Sequence, residues 1–197
     1  MEVFLMLYSG SRRYVIAACL AGISYLLMFV SFSVIPIVPY MKIDFSDLPI
    51  IFGMLVLGPL GGIEIALLRS VLYFLISGPS LASLIGVSTN LFASLVFTLP
   101  LFYLMRRNPR VTPLNIIKTI TLATLSLTIL LSLANWLVIT PLYMAVLGMK
   151  LSLPLADLVL IGVVPFNLIK GILVGGVFWI AFAKMRVWLT KKSVVLH

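Results

Sequence analysis

Arg69, Asn90, Asn135, Asn167 and Lys170 are the side chains best equipped to do chemistry in this chain, and each interrupts a long apolar run. Amides both donate and accept hydrogen bonds, whereas guanidinium and ammonium groups only donate. In an apolar surrounding such groups cost several kcal/mol unless they meet a partner or a wet cavity. Asn167 and Lys170 stand three apart and share a helix face, and Pro165 just before them loosens the local backbone ladder. A single Asn most often only bonds one helix to another. Five costly side chains together point to a polar binding site.

The missing residue types narrow the chemistry further. The only histidine is His197, so histidine-based metal sites and Ser–His dyads are not expected, and intramembrane hydrolysis needs an activated nucleophile or a metal. No phosphate-cradling Gly-x-x-x-x-Gly-Lys run occurs. Glu64 reads as the only carboxylate inside a span, and at five residues from Arg69 it is poorly placed for an ion pair on one helix. Lys170 then has no evident counter-ion within the chain. These absences predict a protein that binds rather than an enzyme, with no metal.

The elements that must carry these residues are membrane helices. With 62% hydrophobic and 10% charged residues, and a mean hydropathy of +1.25, a soluble globular domain is excluded. A crossing needs about 20 apolar residues. The sequence predicts one all-α membrane domain, a six-helix bundle spanning about 14–35, 46–57, 61–77, 81–105, 117–146 and 158–185, with the second span short. Ser46-Asp47-Leu48-Pro49 reads as a helix start, with Asp47 as a cap, and Gly58-Pro59-Leu60-Gly61-Gly62 as a tight turn. The apolar run after Arg12–Arg13 is too long for a signal-peptide core and reads as a retained helix.

Charge orients the bundle. Ten of the 14 Lys and Arg residues (Arg12, Arg13, Arg106, Arg107, Arg110, Lys118, Lys184, Arg186, Lys191 and Lys192) fall on alternate gaps, leaving Lys42 and Lys150 on the other side. Positive charge stays cytoplasmic, so both termini are expected inside. The net charge of +9 then serves orientation and anionic lipid headgroups rather than nucleic acid.

Depth follows from 1.5 Å of rise per residue. Counted inward from the outer ends, Arg69 and Asn90 lie roughly 14 Å down, Asn135 and Asn167 roughly 15 Å, and Lys170 roughly 20 Å. The five therefore fall at similar levels on four helices, in the outer half. The outer loop, with Tyr40, Lys42, Asp44 and Phe45, can cover them. Tyr40 and Phe45 also suit interfacial anchoring, and Asp44 helix capping. Small residues recur four apart at Ala17/Ala21, Ala18/Gly22 and Gly171/Gly175, a spacing that permits close helix approach within this chain or against a partner. The lone Cys19 reads as a small buried apolar residue.

The run Pro39-Tyr40-Met41-Lys42-Ile43-Asp44-Phe45-Ser46-Asp47-Leu48-Pro49, followed by Gly58-Pro59-Leu60-Gly61-Gly62, resembles the substrate-binding S components of energy-coupling factor (ECF) vitamin transporters, particularly the riboflavin-specific group. The resemblance covers nearly the whole chain. It implies a multi-pass cell-membrane protein that captures vitamin outside and associates with a transmembrane coupling subunit, EcfT, and two ATPases. Riboflavin would be the transported ligand, with no cofactor. The family's Ala-x-x-x-Ala pattern falls on Ala17 and Ala21, which implies docking to the coupling subunit. Its asparagines on the fifth and sixth helices, with a lysine one turn on, fall on Asn135, Asn167 and Lys170.

Phe45, Trp136 and Phe166 are candidate walls for fused rings, and Lys42 and Asp44 candidate contacts for the ribityl chain. The family's Lys-Asn is replaced here by Arg69-Ser70. Arg prefers bidentate acceptors such as phosphate, which keeps FMN as a ligand, or an internal ion pair, in view. Thiamine or another vitamin on the same scaffold, and a non-transport membrane assembly protein, are the remaining readings.

Overall fold

A computed structural model describes residues 11–107, 112–151 and 153–192, with side chains as far as Met185. Arg110 and His197 lie outside the described residues, as do the side chains of Arg186, Lys191 and Lys192. The helices are α1 (Ser11–Phe29), α2 (Asp47–Ile76), α3 (Leu81–Arg107), α4 (Pro113–Ala134), α5 (Thr140–Leu147), α6 (Leu155–Leu158) and α7 (Val164–Lys192). A five-residue π turn, Asn135–Ile139, joins α4 to α5, and a second, Val159–Val163, joins α6 to α7. Five of the resulting continuous rods are long and apolar enough to cross a membrane.

The 30-residue α2 is not one straight rod. At Gly58 the backbone takes φ 83° and ψ 175°, a conformation that only glycine adopts cheaply, and Pro59 then suits the first turn of the returning arm. The two arms lie against each other. The Gly53 site abuts the Ile65 side chain, and a methyl group placed on Gly62 would come 3.2 Å from the Ile50 carbonyl oxygen. Residues twelve apart on a straight helix are separated by roughly 18 Å. The spans expected at 46–57 and 61–77 are therefore the arms of one element folded at the predicted turn.

Each π turn ends two residues before a proline, Pro141 in one case and Pro165 in the other. A proline removes one i→i−4 bond and its ring clashes with the carbonyl four residues back. The chain responds with a wider loop: the amide of Thr140 donates to the Asn135 carbonyl, and that of Val164 to the Val159 carbonyl. Such single-turn bulges re-aim the side chains around them.

α1 ends at Phe29 rather than near Ile35, because the chain turns into a short ladder in which Phe32–Ser33 pairs antiparallel with Lys42–Ile43. Between these strands Val38, fully buried, packs on Leu158, Val159 and Val163. It sits so close to Gly162 that a Cβ there would lie 2.8 Å from a Val38 methyl. The outer loop is thus fixed onto α6 and the second π turn.

At the opposite end, Arg13 donates to the Glu64 carboxylate at 2.6 Å, tying the start of α1 to the elbow of α2. Ala17 and Ala21, 2% and 1% exposed, face the bundle core. This corrects the expectation that they form an outward docking face; their small size brings α1 close to the rest of this chain instead. Gly171 and Gly175 likewise face Thr124 and Ile120 of α4. Of the three small-residue pairs, only Ala18/Gly22 faces out, beside an exposed Cys19.

Candidate functional site

A cavity of about 150 Å³ opens between the outer loop and the outer halves of α3, α4–α5 and α7. Its walls include Tyr40, Lys42, Asn90, Tyr143 and Phe166, with Asn135, Asn167 and Lys170 at its floor. A wider space of about 460 Å³, lined by Tyr40, Lys42, Asp44, Ser80, Ser83 and Asn90 among others, adjoins it on the side of the loop. Small-molecule sites run to roughly 300–1,000 Å³, so a drug-sized ligand would need both chambers. The amide- and ammonium-lined cavity and the hydroxyl-lined outer chamber share Tyr40, Lys42, Gly86 and Asn90 as common walls.

The floor is buried: Asn135, Asn167 and Lys170 are 4%, 2% and 5% exposed. The Asn135 amide nitrogen donates to the Leu131 carbonyl at 2.8 Å, and its carbonyl oxygen receives only a 3.5 Å contact from Thr140. That oxygen is left as an acceptor. The Asn167 amide nitrogen has no hydrogen-bond partner in the protein. A buried donor left unmade costs about 1–3 kcal/mol, so this atom calls for an acceptor in the cavity.

Lys170 does have a counter-ion, contrary to the reading from sequence. Its ammonium lies 3.6 Å from Oδ2 of Asp47. Asp47, fully buried, is not a helix cap: its Oδ1 accepts from Ser94 and lies 3.5 Å from Nη1 of Arg69. The cap position is held by Ser46, whose side chain makes no capping bond and donates to Asp44 instead. This carboxylate was missed because a Ser-Asp-Leu-Pro start reads as local capping, whereas here tertiary partners from α2, α3 and α7 claim it.

Arg69 does not line the cavity, which corrects its assignment as a ligand contact. It is fully buried, and its guanidinium donates to Ser46 at 2.8 Å, Asn90 at 2.9 Å and Ser94 at 3.1 Å. Asn90 gives its carbonyl oxygen to Arg69 yet remains on the cavity wall. Phe45 also lies off the cavity; its ring packs beside Phe32, 6.4 Å between centroids. Trp136 is half exposed on the outer surface, and Phe166 supplies the aromatic wall. Asp44 reaches only the outer chamber, with one carboxylate oxygen already bonded to the Ser46 amide and hydroxyl.

Thr89, Leu131, Ile139 and Tyr143 line the cavity without having stood out in the sequence. Leu131 and Ile139 lie one turn either side of Asn135, and Thr89 and Gly86 lie just before Asn90, so helical spacing from the asparagines was the available signal. Gly86 leaves room for the Tyr143 hydroxyl, which a Cβ there would approach to 3.3 Å. Burial, and then the Tyr143 hydroxyl, push the Tyr40 phenol above its ordinary value, so it stays neutral as a donor.

An apolar bundle with a buried polar cavity at one end, reached beneath a loop, defines a multi-pass membrane protein built to hold a small polar molecule. The family described as ECF transporter, substrate-specific component, matches residues 12–182, and the chain belongs to it. It is similar to the riboflavin transporter FmnP of Bacillus subtilis (strain 168), 32% identical over 94% of this chain and 98% of that protein. It is also similar to the riboflavin transporter RibU of Staphylococcus aureus (strain TCH60), 30% identical over 92% and 94%. The solved structure of the S component of a bacterial ECF transporter superposes with a TM-score of 0.74 at 31% identity, covering 90% of this chain and 97% of that one. The protein is a transporter component rather than an enzyme.

Proposed function

We propose that this chain captures riboflavin from outside the cell membrane and delivers it as the substrate-specific subunit of an ECF importer. Its partners would be a transmembrane coupling subunit, EcfT, and two ATPases. In this reading the two arms of α2 count as separate crossings, giving six, and the Arg13–Glu64 end with Arg106, Arg107 and Lys184 faces the cytoplasm with both termini.

The observation that carries the proposal is the unpartnered amide nitrogen of Asn167, which shares the cavity with Lys170 and with the Asn135 carbonyl oxygen, itself held only by a 3.5 Å bond from Thr140. The pyrimidine edge of an isoalloxazine presents carbonyl, N–H and carbonyl in sequence, which calls for donor, acceptor and donor. Phe166 and Tyr143 offer flat apolar surface for the fused rings, and the hydroxyl-lined outer chamber suits the ribityl chain. Sequence similarity to two proteins named riboflavin transporters supports the same ligand.

FMN is the weaker candidate, because Arg69 gives its donors to Ser46, Asn90 and Ser94 rather than to the cavity. Titration of purified protein with riboflavin, FMN and thiamine, followed by flavin fluorescence and calorimetry, tests the reading. Submicromolar riboflavin affinity is expected; millimolar or weaker binding would refute it.

A further inference from the structure

Three charges from three helical segments meet behind the cavity floor. Asp47 opens the first arm of α2, Arg69 lies on its second arm, and Lys170 lies on α7; all three are at most 5% exposed. Only Lys170 reaches the cavity. The Asp47 carboxylate touches both cations, Oδ1 at 3.5 Å from Arg69 and Oδ2 at 3.6 Å from Lys170, and Oδ2 has no hydrogen bond. One anion between two cations leaves this trio with an excess positive charge. The next acid along the chain of contacts is Asp44, reached from Arg69 through the Ser46 hydroxyl.

We infer that Asp47 is the positioning and charge-selecting residue of the site. It aims the Lys170 ammonium from behind and offsets one of the two positive charges, so that the floor donates to a neutral carbonyl and attracts anions less than two bare cations would. The inference rests on the proposed flavin reading and deepens it: the ligand edge that meets the floor is uncharged.

The geometry explains why a lysine can serve here. An ammonium facing a dry cavity without a carboxylate favours anions over neutral acceptors, since the interaction with a full charge is stronger in low dielectric. With Asp47 behind it, Lys170 presents donors while the trio carries one net positive charge instead of two. The other titratable groups that face the same space are Tyr40, Lys42 and Tyr143, with Asp44 and Tyr73 at the outer chamber. None of them lies within the trio, so a change at Asp47 alters the floor charge selectively.

The bound flavin reports that charge through its own N3–H, whose loss changes its absorption spectrum. In Asp47→Asn the floor gains one net positive charge, and a nearby positive charge favours the ionised form of an acid. The N3–H of bound riboflavin should therefore deprotonate at a measurably lower pH in Asp47→Asn than in the unaltered protein. Asp47→Glu, which keeps the charge, should restore the midpoint.

An identical midpoint in Asp47→Asn would overturn the inference, whatever its effect on affinity. If Asp47→Asn does not fold, the paired variant D47N/R69Q removes one charge of each sign and is titrated in its place. The net charge of the trio is then unchanged, but the cation that remains is the one reaching the cavity, so a smaller fall is expected, and no fall would overturn the inference.

A second arm needs no ligand. Acetic anhydride labelling of Lys170 in the detergent-solubilised full chain, normalised to Lys42 and Lys150, should differ from the unaltered protein in Asp47→Asn and return to its level in Asp47→Glu. Equal labelling would overturn the positioning role. Failure of the unaltered protein to bind riboflavin, with the labelling difference present, would refute the flavin reading while supporting the role of Asp47.

Discussion

Asn135 and Asn167 reach one cavity from α4–α5 and α7, each beside a π turn that a proline closes. Pro141 follows Asn135 by six residues, and Pro165 precedes Asn167 by two. The prolines are thus the sequence-level cause of a local rewinding that turns two amides toward the same space.

Straightening either rewound turn should cost binding more than folding. Pro165→Ala restores a backbone donor and permits an ordinary helical turn, which rotates the flanking residues by about 100° for the one residue absorbed. At least a tenfold loss of riboflavin affinity is expected, with a melting temperature close to the parent's. Fluorescence titration and thermal unfolding in the same detergent would check both halves.

Asn167→Leu removes the donor that has no protein partner. Loss of a ligand bond worth about 1–3 kcal/mol predicts a roughly 5- to 150-fold weaker complex, while the ligand-free protein keeps or gains stability because the unmet donor is gone. Asn167→Asp, which accepts but does not donate, should fare no better. Calorimetric titration of both variants is the measurement.

Two ion pairs of similar appearance should respond oppositely to substitution. Arg13 and Glu64 are partly exposed, and such pairs contribute about 0–1 kcal/mol, so Glu64→Gln should leave stability nearly unchanged. Arg69 is fully buried against Asp47. Breaking a buried pair by removing one partner costs about 3–5 kcal/mol, so Arg69→Gln should unfold at distinctly lower temperature or denaturant.

Gly58→Ala places a side chain in a backbone conformation that costs about 1–3 kcal/mol outside glycine. Reduced thermal stability of that size is expected, with a larger loss in Gly62→Val, where the new side chain meets Met54 and the Ile50 carbonyl.

The level of the cavity residues was legible from the sequence, because helical rise is fixed and proline, glycine and charge mark where spans turn. Counting residues placed Asn135, Asn167 and Lys170 together without coordinates, and the Gly-Pro turn at residue 58 fell where the chain folds back. Sidedness was not legible. In lipid the outer surface is as apolar as the core, so nothing distinguishes inward Ala17 and Ala21 from outward Ala18 and Gly22 except the packing itself. The same limit hid the engagement of Arg69. Whether a polar residue faces a cavity or a protein partner depended on Asp47, whose position beside it exists only once the two arms of α2 close.

The loop over the cavity rests on an apolar footing in which Val38 meets Gly162 and three buried neighbours, with Ile35 and Met41 packed alongside. Freeing the buried valine alone costs about 1.5–3 kcal/mol, so the unseated form should make up at most several per cent of molecules at rest. Under the proposed function, ligand arrival would then need no energy from outside: thermal breathing would uncover the hollow, and affinity would decide how long it stays shut.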